Sequence, residues 1–166
     1  KSKDLRKMLD TMAAADRAEK TALEPFGRSA AEGPYQVQES LQDTMQDLVG
    51  IVRKEDEMER ALTEIAKLKQ RAAKVGVTGN REYNPGWHTA IDLENLLTVS
   101  EAVAMCALAR KESRGGHFRD DYPDKVAEFA TFNIVTRRKA DGSMEVVRAP
   151  LPPLPAELKQ IIEDQK

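Results

Sequence analysis

Apolar residues recur at three- and four-residue intervals along several stretches of the chain, which is the spacing of an amphipathic helix. In the first stretch the apolar positions are Leu5, Met8, Leu9 and Met12. The Ala-rich continuation keeps a high helix propensity, so the pattern predicts a helix from about Ser2 to Leu23. Residues 25–34 then hold two prolines, two glycines and a serine, which is typical of a linker.

Two further amphipathic helices are predicted after this linker. Pro34 suits a first helical position, and the apolar stripe behind it consists of Val37, Leu41, Met45, Leu48 and Val52. The next stripe consists of Met58, Leu62, Ile65, Leu68, Ala72 and Val75. Because 12 of the 22 residues from Arg53 to Lys74 are charged, this helix should lie at the surface. The charge run from Arg53 to Arg60 is interpreted as a solvated face.

The helix predicted next is far more apolar. Asn84 before Pro85 is a helix-start signal, since asparagine can accept from the first free N–H groups and proline fits the first turn. The helix should continue to about Lys111. Only three of the 23 residues from Trp87 to Ala109 are charged, and the apolar residues occupy more than one face. We therefore expect this helix to be the centre of the bundle.

The C-terminal part of the chain predicts strands. Phe132–Thr136 and Met144–Val147 flank Gly142, which can supply the positive φ of a hairpin turn. Pro150–Pro155 favours an extended polyproline arm, and a helical turn or two is expected over residues 156–164. The predicted fold class is mainly α: a helical bundle of three main helices plus an N-terminal helix, with a small β-hairpin and a proline-rich C-terminal arm.

These elements divide the chain into three predicted parts. Residues 1–33 form the N-terminal helix and linker, residues 34–123 the helical-bundle domain, and residues 124–166 the β-hairpin and C-terminal arm. A chain of 166 residues is about one domain's worth, and it can bury a core without disulfides or metals.

Charge and composition narrow the classes of function. With 26 basic and 28 acidic residues the formal net charge is −2, so nucleic acid is not an expected partner. No apolar run reaches the roughly 18 residues that a membrane span needs. Because the chain has a single cysteine, an internal disulfide is excluded. The cysteine and the two histidines of the sequence do not have the spacing of a metal-binding motif. Cytoplasm is the expected compartment.

Motifs of common catalytic and cofactor sites are missing from the sequence. There is no clustered Gly-x-Gly-x-x-Gly of the kind that binds a dinucleotide. Cys106 stands in the most apolar helix, where a thiol is usually inert packing. His88, beside Trp87 at a helix start, is interpreted as a packing or capping histidine. We therefore expect no catalytic, cofactor-binding or metal-binding residue in this chain.

The segment from Glu112 to Pro123 is different, because charged and polar side chains crowd around the flexible pair Gly115-Gly116. They are Glu112, Arg114, His117, Arg119, Asp120, Asp121 and Tyr122. Such a loop can close a network of charge-assisted hydrogen bonds. The two arginines could pin the loop to the bundle or face another domain or subunit, and direct catalysis is the least favoured role. We predict that Arg114 faces inward and Arg119 outward.

Two motifs carry a resemblance to a known family. They are Asn84-Pro85-Gly-Trp87-His88 and the Glu112-Ser-Arg114-Gly-x-His117 segment that continues to Asp121-Tyr122-Pro. Together with the two preceding helices they resemble the C-terminal helical domain of succinate dehydrogenase and fumarate reductase flavoprotein subunits. L-Aspartate oxidase and adenylylsulfate reductase share this domain. The resemblance covers roughly Pro34 to Pro123, and Gly116 departs from it by standing where alanine is usual.

The resemblance implies a flavoprotein that interconverts succinate and fumarate in respiratory electron transfer, with FAD in the parent protein and none in this fragment. Its implied partners are the flavin domain of the same parent chain, a membrane anchor and an iron–sulfur subunit, at the cytoplasmic face of the membrane. The family's cofactor and catalytic residues match no position here, so the domain is expected to buttress the flavin domain. The alternatives are a C-terminal domain of L-aspartate oxidase or adenylylsulfate reductase, and an independent helical adaptor.

Overall fold

The structure, a computed structural model, describes the backbone of residues 2–165 and the side chains of residues 6–8 and 10–165. Within that range the chain forms five α-helices: α1 (Ser2–Leu23), α2 (Pro34–Val49), α3 (Glu55–Ala72), α4 (Pro85–Ala109) and α5 (Ala156–Asp164). The strands are β1 (Val52–Arg53), β2 (Phe118–Arg119), β3 (Phe132–Arg138) and β4 (Met144–Pro150). The predicted fold class, mainly α with a small hairpin, is confirmed.

Three helices, α2, α3 and α4, pack against one another around one core. The buried core residues are Val37, Leu41, Val49, Met58, Ala61, Ile65, Leu68, Val75, Leu93, Leu97, Ala104 and Ala107. On α2 and α3 all but Val49 and Ala61 belong to the stripes that the sequence predicts. Fully burying one large aliphatic side chain stabilises the fold by about 1.5–3 kcal/mol. The stripe positions of the two helices are thereby confirmed, except that Val52 lies beyond α2 and is exposed.

Helix α4 contacts α2, α3 and the hairpin, as the central helix should. It is nevertheless not surrounded, because Leu96, Val99 and Val103 are exposed on its other face, Val99 by 61%. The apolar residues of α4 therefore occupy two faces: one lies in the core, and the other is not covered by any of the described residues. Within residues 2–165, no helix combines the length and apolar composition that crossing a bilayer requires.

Helix α1 is attached to the bundle at its C-terminal end. The indole N–H of Trp87 donates to the carbonyl of Ala22 at 2.6 Å, and the Trp87 ring lies 5.4 Å from that of Phe26 between centroids. Met8 and Met12 of the predicted stripe are exposed, whereas the side chains of Leu5 and Leu9 lie outside the described residues.

The linker after α1 crosses the end of α3 at close range. A Cβ on Gly76 would stand 2.5 Å from the carbonyl oxygen of Ser29, a distance that no side chain tolerates. Val77 donates its N–H to the carbonyl of Pro25 at 3.0 Å. Glycine at position 76 is therefore required by the approach of two backbone segments.

Strands β3 and β4 pair antiparallel from Phe132↔Pro150 to Arg138↔Met144. Gly142 has a φ of 85° in the turn, as predicted. The Asp141 side chain accepts from the N–H of Ser143 at 2.9 Å, which stabilises the turn. The following arm leads to α5, whose apolar residues Leu158, Ile161 and Ile162 are exposed.

The core assignment of α4 predicts different outcomes for two equivalent changes on that helix. Leu97 is 1% exposed, so Leu97→Asp places an unpaired charge in the core and should cost more than about 3 kcal/mol, enough to unfold a domain of ordinary stability. Val99→Asp makes the same chemical change on the exposed face and should alter the unfolding free energy by about 0.5 kcal/mol or less. Urea unfolding of both variants measures this, and equal losses would contradict the assignment.

Candidate functional site

The loop that follows α4 folds back against the C-terminal ends of α2 and α4. Its anchor is a short parallel pairing of β1 with β2, in which Val52 is opposite Phe118 and Arg53 opposite Arg119. The sequence pattern does not predict this pairing, because two-residue strands carry no periodicity. The pairing brings Arg53 into the site and sets it beside Arg119.

Arg119 is a fully buried cation of the loop, with 0% of its side chain exposed. Its Nη1 donates to the carbonyls of Ala107 at 3.1 Å and Leu108 at 3.2 Å, in the last turn of α4. Carbonyls there have no partner within the helix, and the helix dipole makes that end negative. The Arg119 guanidinium therefore caps α4.

Asp121 completes the pairing of Arg119. Its two carboxylate oxygens accept from Nε and Nη2 of Arg119, each at 2.7 Å. One of them also accepts from the backbone N–H of Glu55 at 2.9 Å, at the first residue of α3. The hydrogen bonds from Arg119 lower the pKa of Asp121 to about 2, so the carboxylate stays ionised.

The predicted outward orientation of Arg119 is wrong. Arg119 points inward, whereas the Arg114 side chain is 35% exposed and pairs with Glu112. The reason is the alternation of β2, which directs Phe118 outward and Arg119 into the site. The unpaired carbonyls at the end of α4 give an inward guanidinium its partners.

Glu112 is buried completely, and cations surround it. It accepts from Nε and Nη2 of Arg114 at 2.9 and 3.0 Å, from Nη1 of Arg110, and from the N–H of Val126 at 2.8 Å. The bonds from Arg114 make the largest contribution to lowering its pKa from 4.5 to about 2, against the opposing effect of burial. Glu112 thus joins α4, the loop and the start of the hairpin region.

His117 lies between β1 and the end of α4. Its Nδ1 is 2.8 Å from Nη1 of Arg53, and its Nε2 is 3.1 Å from the carbonyl oxygen of Arg110. Arg53 also donates through Nε to the carbonyls of Val49 and Gly50 at 3.2 and 2.9 Å, which caps α2. Burial lowers the pKa of His117, and the nearby arginines lower it further.

The interpretation of the run from Arg53 to Arg60 as a solvated face is wrong for two residues. Arg53 caps α2, and Glu55 accepts from Nζ of Lys111 at 2.9 Å and from the hydroxyl of Tyr122 at 3.3 Å. Nothing in the local sequence distinguishes these two from their exposed neighbours. The partners of Glu55 lie 56 and 67 positions away along the chain.

Tyr122 and Asp120 take outer positions in the loop. The Tyr122 ring lies under the guanidinium of Arg119, 4.9 Å from its centroid, and under Nζ of Lys111 at 5.5 Å, within the range of cation–π attraction. Asp120 pairs with Lys54 at 3.5 Å, and both side chains are about half exposed. Exposed pairs of this kind contribute little to stability.

The helix-start motif lies at the other end of α4. Asn84 Oδ1 accepts from the N–H of Trp87 at 3.0 Å, which is the predicted cap, and Pro85 stands in the first turn. The His88 ring lies 5.7 Å from the Trp87 ring. A helix of this length separates the two motifs by roughly 37 Å, so the structure does not bring them into one site.

The chemistry available at the loop is hydrogen bonding and charge pairing. Among the described residues, every buried side-chain nitrogen and oxygen has a partner. In that same part of the chain no three His, Cys, Asp or Glu side chains come together as a metal site would require. Cys106 is half-buried, and burial raises the pKa of its thiol, which disfavours the nucleophilic thiolate. The donors and acceptors of the loop therefore satisfy one another.

The fold is thus a helical domain: a three-helix bundle with a hairpin packed alongside, in which an arginine–carboxylate loop closes the end of α4. The sequence of this domain also identifies its family. The chain belongs to the family described as fumarate reductase flavoprotein C-term, whose model matches residues 38–160. The resemblance carried by the two motifs is thus confirmed.

Three comparisons show how the family relates to this chain. The fumarate reductase flavoprotein subunit of Mycobacterium tuberculosis is 29% identical over 116 residues, which are 69% of this chain and 20% of that protein. L-Aspartate oxidase of Vibrio cholerae is 39% identical over 87 residues, 51% of this chain and 15% of that protein. The solved structure of Mycobacterium smegmatis Sdh1 in complex with UQ1 matches with a TM-score of 0.84 and 43% identity, over 92% of this chain and 26% of that one.

The chain thus spans about a quarter or less of the length of these relatives. Similarity to them identifies the fold and the family of this domain. The names of the two curated relatives describe different reactions, one a fumarate reductase and the other an L-aspartate oxidase.

The position of Arg119 predicts that it matters more to stability than an exposed cation that pairs with the loop, such as Lys54. Arg119→Ala leaves Asp121 and the end of α4 without their donor, and loss of one partner of a buried pair costs about 3–5 kcal/mol. Lys54→Ala, which removes the exposed partner of Asp120, should cost no more than about 1 kcal/mol. Urea unfolding measures both, and a similar cost for the two variants would contradict the capping role of Arg119.

Glu112 predicts a specific sensitivity to acid. Its pKa is about 2 in the folded chain and 4.5 ordinarily, so its ionisation stabilises the fold fully above 4.5 and loses this effect as the pH falls towards 2. Asp121, with a pKa lowered from 3.8 to about 2, acts in the same direction over a similar range.

We expect Glu112→Gln to be less stable than the parent chain at neutral pH and to lose less stability between pH 6 and pH 3. Unfolding midpoints in urea across this range measure the difference. If the parent chain and the variant declined in parallel, Glu112 would not be the acid-sensitive group.

Proposed function

We propose that this chain is the C-terminal domain of a succinate dehydrogenase/fumarate reductase-type flavoprotein, in which it buttresses the flavin domain and the assembly of the subunits. The enzyme would oxidise succinate to fumarate in respiratory electron transfer. The observation that carries this proposal is the closed loop network, whose charged groups are occupied with holding the ends of three helices. Such a loop stiffens a scaffold and leaves no group free for chemistry on a substrate.

The exposed apolar face of α4 supports a docking role. Leu96, Val99 and Val103 follow one another at helical spacing and are all exposed. Aligned apolar residues on a helix are typical of a surface that packs against another element. We propose that the flavin domain of the same parent chain covers this face, with FAD held in that domain and no cofactor in the present residues.

The further partners belong to the same proposal. An iron–sulfur subunit would receive electrons from the flavin and pass them to a membrane anchor, which places the assembly at the cytoplasmic face of the membrane. The similarity to Mycobacterium smegmatis Sdh1, over 92% of this chain, supports this arrangement. We also keep as a proposal the division at residues 33 and 123, although Glu112 binds Val126 across the second boundary.

L-Aspartate oxidase is the second candidate for the parent protein. The relative from Vibrio cholerae has 39% identity, but over only 51% of this chain. The match to Sdh1 has 43% identity over 92% and therefore includes most of the hairpin and arm. The wider coverage favours the dehydrogenase.

The proposal is tested in the full-length flavoprotein with its iron–sulfur subunit, by placing a charge on the α4 face. Val99→Asp should leave the fold of this domain intact and weaken its contact with the flavin domain, because burying an unpaired carboxylate at an interface is unfavourable. We expect a lower flavin content and lower succinate-dependent dye reduction. Ala66→Asp, on the exposed side of α3, adds the same charge and should preserve both.

The present 166 residues alone should retain no flavin after purification. Stoichiometric flavin in that preparation would contradict the assignment of the cofactor to another domain. Equal activity of the Val99→Asp and Ala66→Asp proteins would contradict the docking of α4. Aspartate-dependent but no succinate-dependent turnover in the parent protein would select the second candidate.

A further inference from the structure

The hydrogen bonds of His117 allow a single protonation state. Its Nε2 lies 3.1 Å from the carbonyl oxygen of Arg110, which can only accept, so this nitrogen must carry the hydrogen. Its Nδ1 lies 2.8 Å from Nη1 of Arg53, which can only donate, so Nδ1 must be free of hydrogen. The neutral imidazole with hydrogen on Nε2 satisfies both contacts, and the imidazolium cannot.

The charges that reach His117 oppose its protonation. They come from Arg53 on β1, Arg119 on β2 and Arg110 at the end of α4. The carboxylates of this region are each bound by another cation, in the pairs Glu112 with Arg110 and Arg114, Asp121 with Arg119, Glu55 with Lys111, and Asp120 with Lys54. The His117 ring itself therefore contacts a guanidinium and a carbonyl, and an added proton gains no anionic partner there.

The bond between His117 and Arg53 joins two parts of the fold that are 64 positions apart. On one side Arg53 holds the last carbonyls of α2. On the other side His117 ends a tight turn in which its backbone exchanges hydrogen bonds with that of Arg114, at 2.8 and 3.1 Å. Gly115 has a φ of 60° within this turn. A proton on Nδ1 would set donor against donor and break the connection.

We propose that His117 is a pH-sensitive latch, which when neutral fastens the Arg114–His117 turn to Arg53 and the end of α2, and when protonated releases that turn. The inference is independent of the proposed function, because it uses only contacts within this chain. Burial and the three arginines lower the pKa of His117 below its ordinary value of 6.5. The latch is therefore closed at neutral pH and opens on acidification.

Nitrogen-15 NMR of the imidazoles in the 166-residue chain tests the latch, with His88 as an internal comparison. At pH 7.5 we expect His117 to show hydrogen on Nε2 and a bare Nδ1, and on acidification to titrate below 6.5. As it titrates, amide hydrogen exchange at Arg114 and His117, corrected for its intrinsic pH dependence, should accelerate roughly fivefold, the effect of losing one ordinary hydrogen bond.

Substitutions at two neighbouring residues distinguish the effect of the Arg53–His117 contact from the effect of a nearby positive charge. Arg53→Gln removes the charged guanidinium that donates to Nδ1 and should shift the His117 titration to higher pH. Lys54→Gln removes the same charge from the next residue, which pairs with Asp120, and should leave the titration unchanged. Because Arg53→Gln also uncaps α2, His117→Asn serves as a second variant, whose Arg114 amide should lose the acid-dependent acceleration.

Three results would overturn the proposal. Hydrogen on Nδ1 at pH 7.5 would show that the bond from Arg53 is not formed. A His117 titration at or above 6.5 would show that its surroundings do not oppose the proton. Acid-dependent exchange at Arg114 that persists in His117→Asn would assign the opening to another group.

Discussion

The buried guanidinium of Arg119 is the interaction on which the rest of this domain depends. Removing a charge from water costs several kcal/mol unless its hydrogen bonds are replaced, and here the replacement comes from the last turn of α4 and from both oxygens of Asp121. Asp121 in turn accepts from the first N–H of α3. The end of one helix, the start of another and the loop between bundle and hairpin are thus held by one ion pair.

Arg53 caps the C-terminal end of α2, as Arg119 caps the C-terminal end of α4. Arg53 stands opposite Arg119 in the parallel pairing and donates to the last carbonyls of α2. The negative ends of two helix dipoles therefore meet two fixed cations at one small sheet. A planar guanidinium can reach several acceptors at once, which a lysine ammonium on a flexible stem does less well. His117, between Arg53 and the end of α4, links the two caps.

This arrangement buries the charges of Glu112 and Arg119 inside the loop, whereas Leu96, Val99 and Val103 of α4 are exposed. Both buried charges have hydrogen-bond partners within the chain. The family to which the chain belongs is defined by its place at the C-terminal end of flavoproteins, and its members carry names of different reductases and oxidases.

The sequence by itself determined the features that are encoded locally. The apolar periodicity predicted the helices, Asn84 and Pro85 predicted the start of α4, and Gly142 predicted the hairpin turn. The segment from Glu112 to Pro123, with the helix-start motif, indicated the family. Tertiary structure alone decided that Arg119 is buried while Arg114 is partly exposed, and that Arg53 and Glu55 of the charged run contact the loop. It also decided that the described part of the chain leaves one apolar face of α4 exposed. A local pattern shows which residues are apolar or charged. It does not show which distant residue a charged side chain will contact, because that depends on how the whole chain folds. The partner of Arg53, His117, lies 64 positions further along the chain.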